Sequence, residues 1–465
     1  MKDLRTFLKE LSNQAPKQLV TIKKEIDCRF EITAIIEKLG KIGKYPVCLF
    51  ENVKNLKGES GYRLVANIYA DRKRFPHILN LPQDNYKMEP VLKVACAKDN
   101  PIAPKIIDKN TAPVKQVIKT GKEVDLYSLP IPIHWKLDGG PYLSQPVLTK
   151  DPDTEVYNFA FQRAMVRTKN ETGIFMAGYG HNEINFKKHE KRGEACPVAI
   201  IAGHHPAFGC ASYVRLPKEY DHRYLAGALM ENPLRMVESE TWKKDLLVPA
   251  DAEVVIEGEI LPNIRKEEGP FGEWLGYTST KEMRPIIKVT AITSRKDPIL
   301  NTVHAGRPSD HVLYSVMDAA ILYDRVRHVS PILKDINLPT AGCGRLIVYA
   351  SVKKVTEGEQ KNVSLTLANE KSKIVVVVDD DINVFDENEV LWAIATRVQA
   401  GKNIEIIKGL RGTPIDPSIY DPPTHDCMII DATRPTRPTD KPFCSVTKVP
   451  DEIMQRINLD EFLAQ

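Results

Sequence analysis

Apolar and polar positions follow two different periods along this chain. The first ten residues place their apolar side chains at helical spacing and read as an amphipathic helix. Short apolar runs at Val47 to Phe50 and Leu64 to Tyr69 predict buried strands, giving an α/β texture. A proline-rich polar stretch from Asn100 to Pro132 follows, and a first domain boundary is expected near residue 115. From there to about residue 300 the runs are strand-like: Ala164 to Arg167, Val198 to Ala202, Val254 to Ile260 and Ile287 to Thr293. Glycines at 173, 178, 180, 203 and 209 punctuate them, as in a β-barrel-like domain carrying loops.

Helical periodicity returns after Ser309, a suitable N-cap for Val312 to Met317. Lys373 to Asp379 is almost continuously apolar, the pattern of a strand buried on both faces. Asp386 and Glu389 suit a capping box for a helix from Val390 to Val398, with Val390, Leu391, Ile394 and Val398 on one face. The tail from Pro422 to Pro442 is proline-rich and is expected to wrap over the surface or a neighbouring subunit. The predicted fold class is α/β (α+β) in three parts, residues 1–115, 116–308 and 309–465.

Composition narrows the class. A chain of 465 residues with 42% hydrophobic and 27% charged side chains can bury a large core. The 65 basic and 61 acidic residues leave a net charge of +4, too small to argue for nucleic acid or a membrane surface. No apolar run approaches the ~18 residues that span a bilayer. The eight cysteines are scattered without a CxxC pair, which points to reduced thiols and a cytoplasmic setting.

The most informative stretch is Glu268-Gly-Pro-Phe-Gly-Glu273, followed by Trp274. Two carboxylates flank a turn in which Gly269 and Gly272 allow tight bending and Pro270 stiffens the backbone. Close like charges push one pKa upward, which suits general acid/base work. The same spacing also suits a surface hairpin with two solvated acids.

Three further segments accompany this turn: Asn158-Phe-Ala-Phe-Gln-Arg163 with a later Thr172-Gly173 and His181, the run Asp245 to Gly258, and Lys373 to Ile382. Together, in this order, they resemble the UbiD family of decarboxylases over roughly residues 110 to 435. The resemblance implies an N-terminal α/β domain, a central split β-barrel that binds the flavin, and a C-terminal α/β oligomerisation domain. It implies prenylated FMN as cofactor, a divalent metal, usually Mn2+, with a nearby K+, and a flavin prenyltransferase as cofactor supplier. A small aromatic, heteroaromatic or α,β-unsaturated carboxylic acid is the implied substrate, and a homo-oligomer, dimer or hexamer, the implied assembly.

By the same resemblance Glu268, Arg163 and Glu273 form the catalytic network, with Arg163 suited to a carboxylate and Glu273 as proton donor. Asn158, Phe159, Ala160, Arg163, His181 and Lys373 fall at cofactor-binding positions, and Asn158 and His181 at metal positions. The third ligand in the family is a glutamate; that slot holds His222 here, with Asp221 and Glu219 as alternatives. Trp274, His311 and His425 fall near the substrate pocket, and the two histidines suit a hydroxy- or heteroaromatic acid. A carboxylase subunit of a larger complex, or a non-catalytic flavin-binding or assembly protein, would be compatible with the same fold.

Overall fold

A computed structural model describes residues 2–176, 178, 180–369, 371–419, 424–436 and 443–463. The chain begins with helix Leu4–Gln14, capped by Asp3 and Thr6 in a reciprocal box. Leu4, Phe7, Leu8 and Leu11 face inward on it, each burial contributing roughly 1.5–3 kcal/mol.

Among the described residues, four sheets carry the fold. The first joins Leu19–Ile22, Val47–Lys54, Tyr62–Ala66 and Ile299–Thr302, with Ile26–Asp27 alongside. Ile299–Thr302 comes from far down the chain and pairs in parallel with Tyr62–Ala66. The strand expected to run to Tyr69 stops at Ala66, because Asn67 turns to φ 68° and sends its amide to the Pro46 carbonyl.

The second sheet closes on itself. Cys196–Ala202, Tyr142–Lys150, Tyr157–Thr168, Glu171–Gly173, Glu282–Ser294 and Val254–Glu268 form an antiparallel barrel, with Val117–Thr120 added outside the ring. The long strands Val254–Glu268 and Glu282–Ser294 shift register twice, and these irregularities bend the ribbon. A small sheet of Lys243–Pro249, Arg235–Ser239 and Lys105–Ile106 lies beside it.

The last sheet orders Leu333–Asn337, Ile347–Val352, Ile374–Asp379, Thr424–Ala432 and Ile404–Arg411. Ile374–Asp379 is parallel to both neighbours and buried over nearly its whole length. Thr424–Ala432 corrects the expected surface tail: its apolar positions Cys427 and Ile429 pack into the core as an inner strand. Residues 422–423 and 437–442 of that tail lie outside the described residues.

Two helix expectations are also corrected. The helix after the barrel is Pro308–Arg327, with Arg307 as N-cap. Pro308 starts it because a fixed φ and a missing N–H cost nothing there, and the Ser309 hydroxyl is turned to the His304 backbone instead. The later helix is Glu387–Arg397, capped by Asp386. Glu389 accepts from Asn383 N–H, so the reciprocal half of the box is absent. Leu391 is exposed, and Val390, Ala393 and Arg397 are the buried positions. Arg397 is buried on Asp379 and Asp381, an ion-pair demand that hydrophobic periodicity does not register.

Candidate active site

Arg163 lies on barrel strand Tyr157–Thr168, and Glu268 ends barrel strand Val254–Glu268. Their side chains meet in a two-pronged pair, Nε to Oε1 at 3.0 Å and Nη2 to Oε2 at 2.8 Å. The remaining terminal nitrogen, Nη1, donates to Glu273 Oε1. All three residues are buried. The guanidinium lies 4.3 Å from the Phe175 ring centroid and 4.9 Å from that of Phe271, so two aromatic faces hold its plane. Burial raises the pKa of Glu273, outweighing the opposing charge of Arg163. Arg163 itself is held above its ordinary value: burial alone would lower it, but the Glu268 hydrogen bond and both carboxylate charges prevail.

The turn between the carboxylates is fixed from outside. Gly269 adopts φ 98°, the left-handed region that glycine tolerates. Gly272 N–H donates to Asp138 at 2.9 Å. A Cβ on Gly272 would sit 2.1 Å from Trp135, so only glycine lets the two segments approach. Tyr142 donates its hydroxyl to the Pro270 carbonyl at 3.1 Å. Tyr142, Asp138 and Trp135 carry no sequence signal of their own; they lie more than 100 residues from the turn and meet it only through barrel closure.

Trp274, the next residue, is buried and stands edge-on to Tyr314 with centroids 5.9 Å apart. Its carbonyl accepts from His311 Nε2 at 2.7 Å. A carbonyl cannot donate, so Nε2 bears the proton and Nδ1 keeps its lone pair. Burial lowers the His311 pKa, keeping the ring neutral. Trp274 and His311 are thus joined to the Arg163–Glu268–Glu273 cluster through the backbone of the turn.

Asn158 belongs to a second location. Five residues apart on a regularly paired strand, Asn158 and Arg163 point to opposite faces. Asn158 and His181 line one cleft, with Lys218 and Tyr220. Asn182 fixes which way the Asn158 amide points. Asn182 Nδ2 donates to the Val147 carbonyl, so its Oδ1 is the acceptor and takes a hydrogen bond from Asn158 Nδ2 at 2.6 Å. The Asn158 Oδ1 is thereby left as an available oxygen donor for a ligand. Phe159 is packed into the core against Phe208, and Ala160 is half-buried on the Asn158 face.

His222 heads helix His222–Met230. Its Nε2 donates to the Val214 carbonyl at 3.2 Å, and its buried Nδ1 has no partner among the described residues. Burial pushes its pKa down to about 4, so that nitrogen carries a free lone pair at neutral pH. The ring does not line the cleft, although His181 lies within electrostatic reach of it. Asp221 is committed elsewhere: it caps the helix at Arg223 N–H, grips the Arg223 guanidinium and accepts from Tyr157 N–H. Glu219 is exposed, and its charge reaches His181. Among the described residues, no three His, Cys, Asp or Glu side chains cluster as a metal site. The donors present are therefore an amide oxygen and imidazoles.

Lys373 and His425 are bonded to groups outside both sets of residues. The Lys373 ammonium binds Asp416 at 2.5 Å and also the Ser418 hydroxyl. His425 is buried, with Nε2 donating to the Ser372 carbonyl at 3.1 Å.

Family models cover the chain in three consecutive blocks. Residues 13–88 match the N-terminal domain of 3-octaprenyl-4-hydroxybenzoate carboxy-lyase, residues 105–308 its Rift-related domain and residues 311–432 its C-terminal domain. The chain belongs to the UbiD family. It is a decarboxylase-type enzyme of that family, with the three-part mixed α/β architecture and central barrel of its members. It is 31% identical to a phenolic acid decarboxylase of Sedimentibacter hydroxybenzoicus, covering 95% of this chain and 93% of the relative. The UbiD-class enzyme HmfF of Pelotomaculum thermopropionicum, solved with FMN, superposes with TM-score 0.90 at 35% identity over 99% of this chain and 100% of that one. An evolved dimeric form of HmfF, solved with prenylated FMN, gives 0.86 at 32% identity over 100% of each chain. Among the described residues, no helix is long and apolar enough to cross a membrane.

Proposed function

We propose that this UbiD-family chain is a cytoplasmic, prenylated-FMN-dependent, reversible and non-oxidative decarboxylase of an aromatic, heteroaromatic or α,β-unsaturated acid. An oxygen-bearing ring is favoured, because the neutral His311 offers Nδ1 as an acceptor beside Trp274, and because a relative is named for phenolic acids. The observation that carries the reading is the buried Arg163 shared by Glu268 and Glu273, with the Glu273 pKa raised.

When bound, the cofactor supplies an azomethine-ylide-like centre that takes up the electron pair released as CO2 departs. The rest falls to side chains of this chain. Arg163 has five N–H groups, of which Glu268 and Glu273 use three. The other two can meet a substrate carboxylate. Glu268 takes two charge-assisted hydrogen bonds and Glu273 one, and burial raises the Glu273 pKa, so Glu273 is the acid that delivers a proton to carbon in place of CO2. Phe175 and Phe271 keep water from the guanidinium and strengthen each of these interactions.

Asn158 Oδ1 and His181 are the donors that fit a divalent metal at the flavin phosphate, with Mn2+ suited to an oxygen and nitrogen set. His222, whose Nδ1 has no partner among the described residues, would be the third donor, since Asp221 is occupied. K+ beside the metal, Phe159, Ala160 and Lys373 at the flavin, His425 at the substrate pocket, a flavin prenyltransferase partner and a homo-oligomer complete the proposal. Division into domains at residues 115/116 and 308/309 belongs to it as well.

Co-expression with a flavin prenyltransferase tests the reading. The holoenzyme should show an altered flavin spectrum and release CO2 from members of a panel of aromatic and enoic acids. Loading of the modified flavin without CO2 release or bicarbonate exchange from any of them would leave a flavin-binding assembly protein as the better account.

A further inference from the structure

A second, small and open cleft lies along helix Pro308–Arg327 and shares no lining residue with the Asn158–His181 cleft. Its charged lining among the described residues is Arg215, Arg325, Arg345, Lys371 and a single carboxylate, Asp318. Arg345 Nε donates to Asp318 at 2.6 Å, and Lys371 Nζ donates to both oxygens of Asp318 at 3.2 and 3.1 Å. With Arg215 and Arg325 left out of the count, two cations still share one carboxylate. Asp318 is held at about 2, since Arg345 and Lys371 outweigh the burial that would raise it. Burial and the Arg345 charge push Lys371 down to about 7. Burial is the larger cause and the Arg345 charge adds to it, against the opposing charge of Asp318.

Arg345 has more donors than its partner uses. Only Nε is bonded to a described protein group, and its side chain keeps 14% of its surface accessible in a cleft it lines. Its guanidinium lies 3.3 Å from the Tyr314 ring centroid and 5.3 Å from that of Trp274. Trp274 directly follows Glu273. The backbone is shaped to hold Arg345 there: Gly344 has φ 68°, and a Cβ on it would stand 2.0 Å from the His311 carbonyl. Asp310, Tyr314 and Asp318 are spaced by four along the helix and so form one stripe. That stripe runs from Asp310, whose charge raises the Glu273 pKa, to Asp318 in the second cleft, about 12 Å at 1.5 Å per residue.

We propose that Arg345 and Lys371 form an anion subsite for a second acidic group, a carboxylate or phosphate, at the far end of the acid whose reacting carboxylate meets Arg163. The subsite rests on the proposed decarboxylase reading for its substrate. A guanidinium fork and an ammonium on one side of a cleft match a planar or tetrahedral oxyanion. Asp318 pairs with both cations and keeps them oriented. The flavin phosphate is a poorer occupant, because the Asn158–His181 cleft is separate from this one.

The test is calorimetric binding to flavin-loaded protein, with benzoate, benzene-1,4-dicarboxylate and 4-phosphonooxybenzoate as probes, alongside CO2 release. The two probes with a second acidic group should bind at least about 10-fold more tightly than benzoate, as expected for hydrogen bonds to charged groups. Arg345→Gln and Lys371→Gln should each erase most of that preference without loss of flavin. Asp318→Asn should enlarge it, because the internal competitor is removed; a merely structural Asp318 would instead give weaker binding. Should Arg345→Gln fail to fold, the Lys371 and Asp318 variants decide. Equal affinity for benzoate and the two doubly acidic probes in the unaltered protein, or loss of flavin in Arg345→Gln with the preference intact, would overturn the subsite. A preference for the doubly acidic probes without CO2 release would uphold the subsite and sink the decarboxylase reading; CO2 release from monoacids without the preference would do the reverse.

Discussion

Arg163 meets Glu268 in parallel, Nε on Oε1 at 3.0 Å and Nη2 on Oε2 at 2.8 Å. This side-on grip leaves one terminal nitrogen for Glu273 and makes the two carboxylates unequal, although the sequence presents them as a near-symmetric pair. The first expected outcome follows from that inequality. Glu273→Gln should bind flavin and acid but turn over about 10²–10⁴-fold more slowly, as for loss of a general acid. It should also lose exchange of the product hydrogen with D2O. Kinetics and deuterium incorporation for both glutamine variants decide it: loss of exchange in Glu268→Gln alone would exchange the two roles.

A pH effect has a definite sign. The Glu273 pKa is raised in the folded protein from an ordinary 4.5. Between 4.5 and the raised value the folded state holds more protons than the unfolded state, so this group makes stability fall as pH rises. Denaturant titrations from pH 4 upward should show the unaltered protein losing stability relative to Glu273→Gln. A difference that does not change with pH would mean that the Glu273 pKa is the same folded and unfolded, and a rise with pH that folding holds it ionised.

Flavin retention should depend on Asn158. Asn158→Ala removes Oδ1 but also the hydrogen bond to Asn182, so Asn158→Asp serves as the partner variant that keeps an oxygen. Alanine should lower bound flavin and metal at least about 10-fold, a loss seen even for residues behind the ligands of a metal site, while aspartate retains both. Absorbance and elemental analysis of folded protein measure this; normal contents in the alanine variant would remove Asn158 from the metal.

His222 and Asp221 are separable by the same measurement. His222→Ala should lower metal content, whereas Asp221→Asn, which can still cap the helix, should keep it. The opposite pattern would place the metal on Asp221 despite its pairing with Arg223.

The turn itself should resist the smallest substitution. Gly272→Ala places a methyl group 2.1 Å from Trp135. Overpacking of this kind costs roughly 1–3 kcal/mol, and here it also displaces Glu273. Thermal unfolding and turnover should both fall; an unchanged melting temperature would show that Trp135 moves aside freely.

Much of this was legible in the sequence because it is local. Period-two apolar runs gave the barrel strands, the unbroken run before Asp379 gave a strand buried on both faces, and Glu268-Gly-Pro-Phe-Gly-Glu273 placed two acids on a tight turn. Local pattern could not decide that Arg163, 105 residues before Glu268, would reach it. It also could not decide that Ile299–Thr302 would return to the first sheet, or that Thr424–Ala432 would enter the last one instead of trailing over the surface. Asp318, Arg345 and Lys371 come from a helix, a loop and a strand approach, and none belongs to a motif. Their charges interact only because helix Pro308–Arg327 packs against the last sheet and the segments that lead into its strands, and that proximity is a property of the tertiary fold.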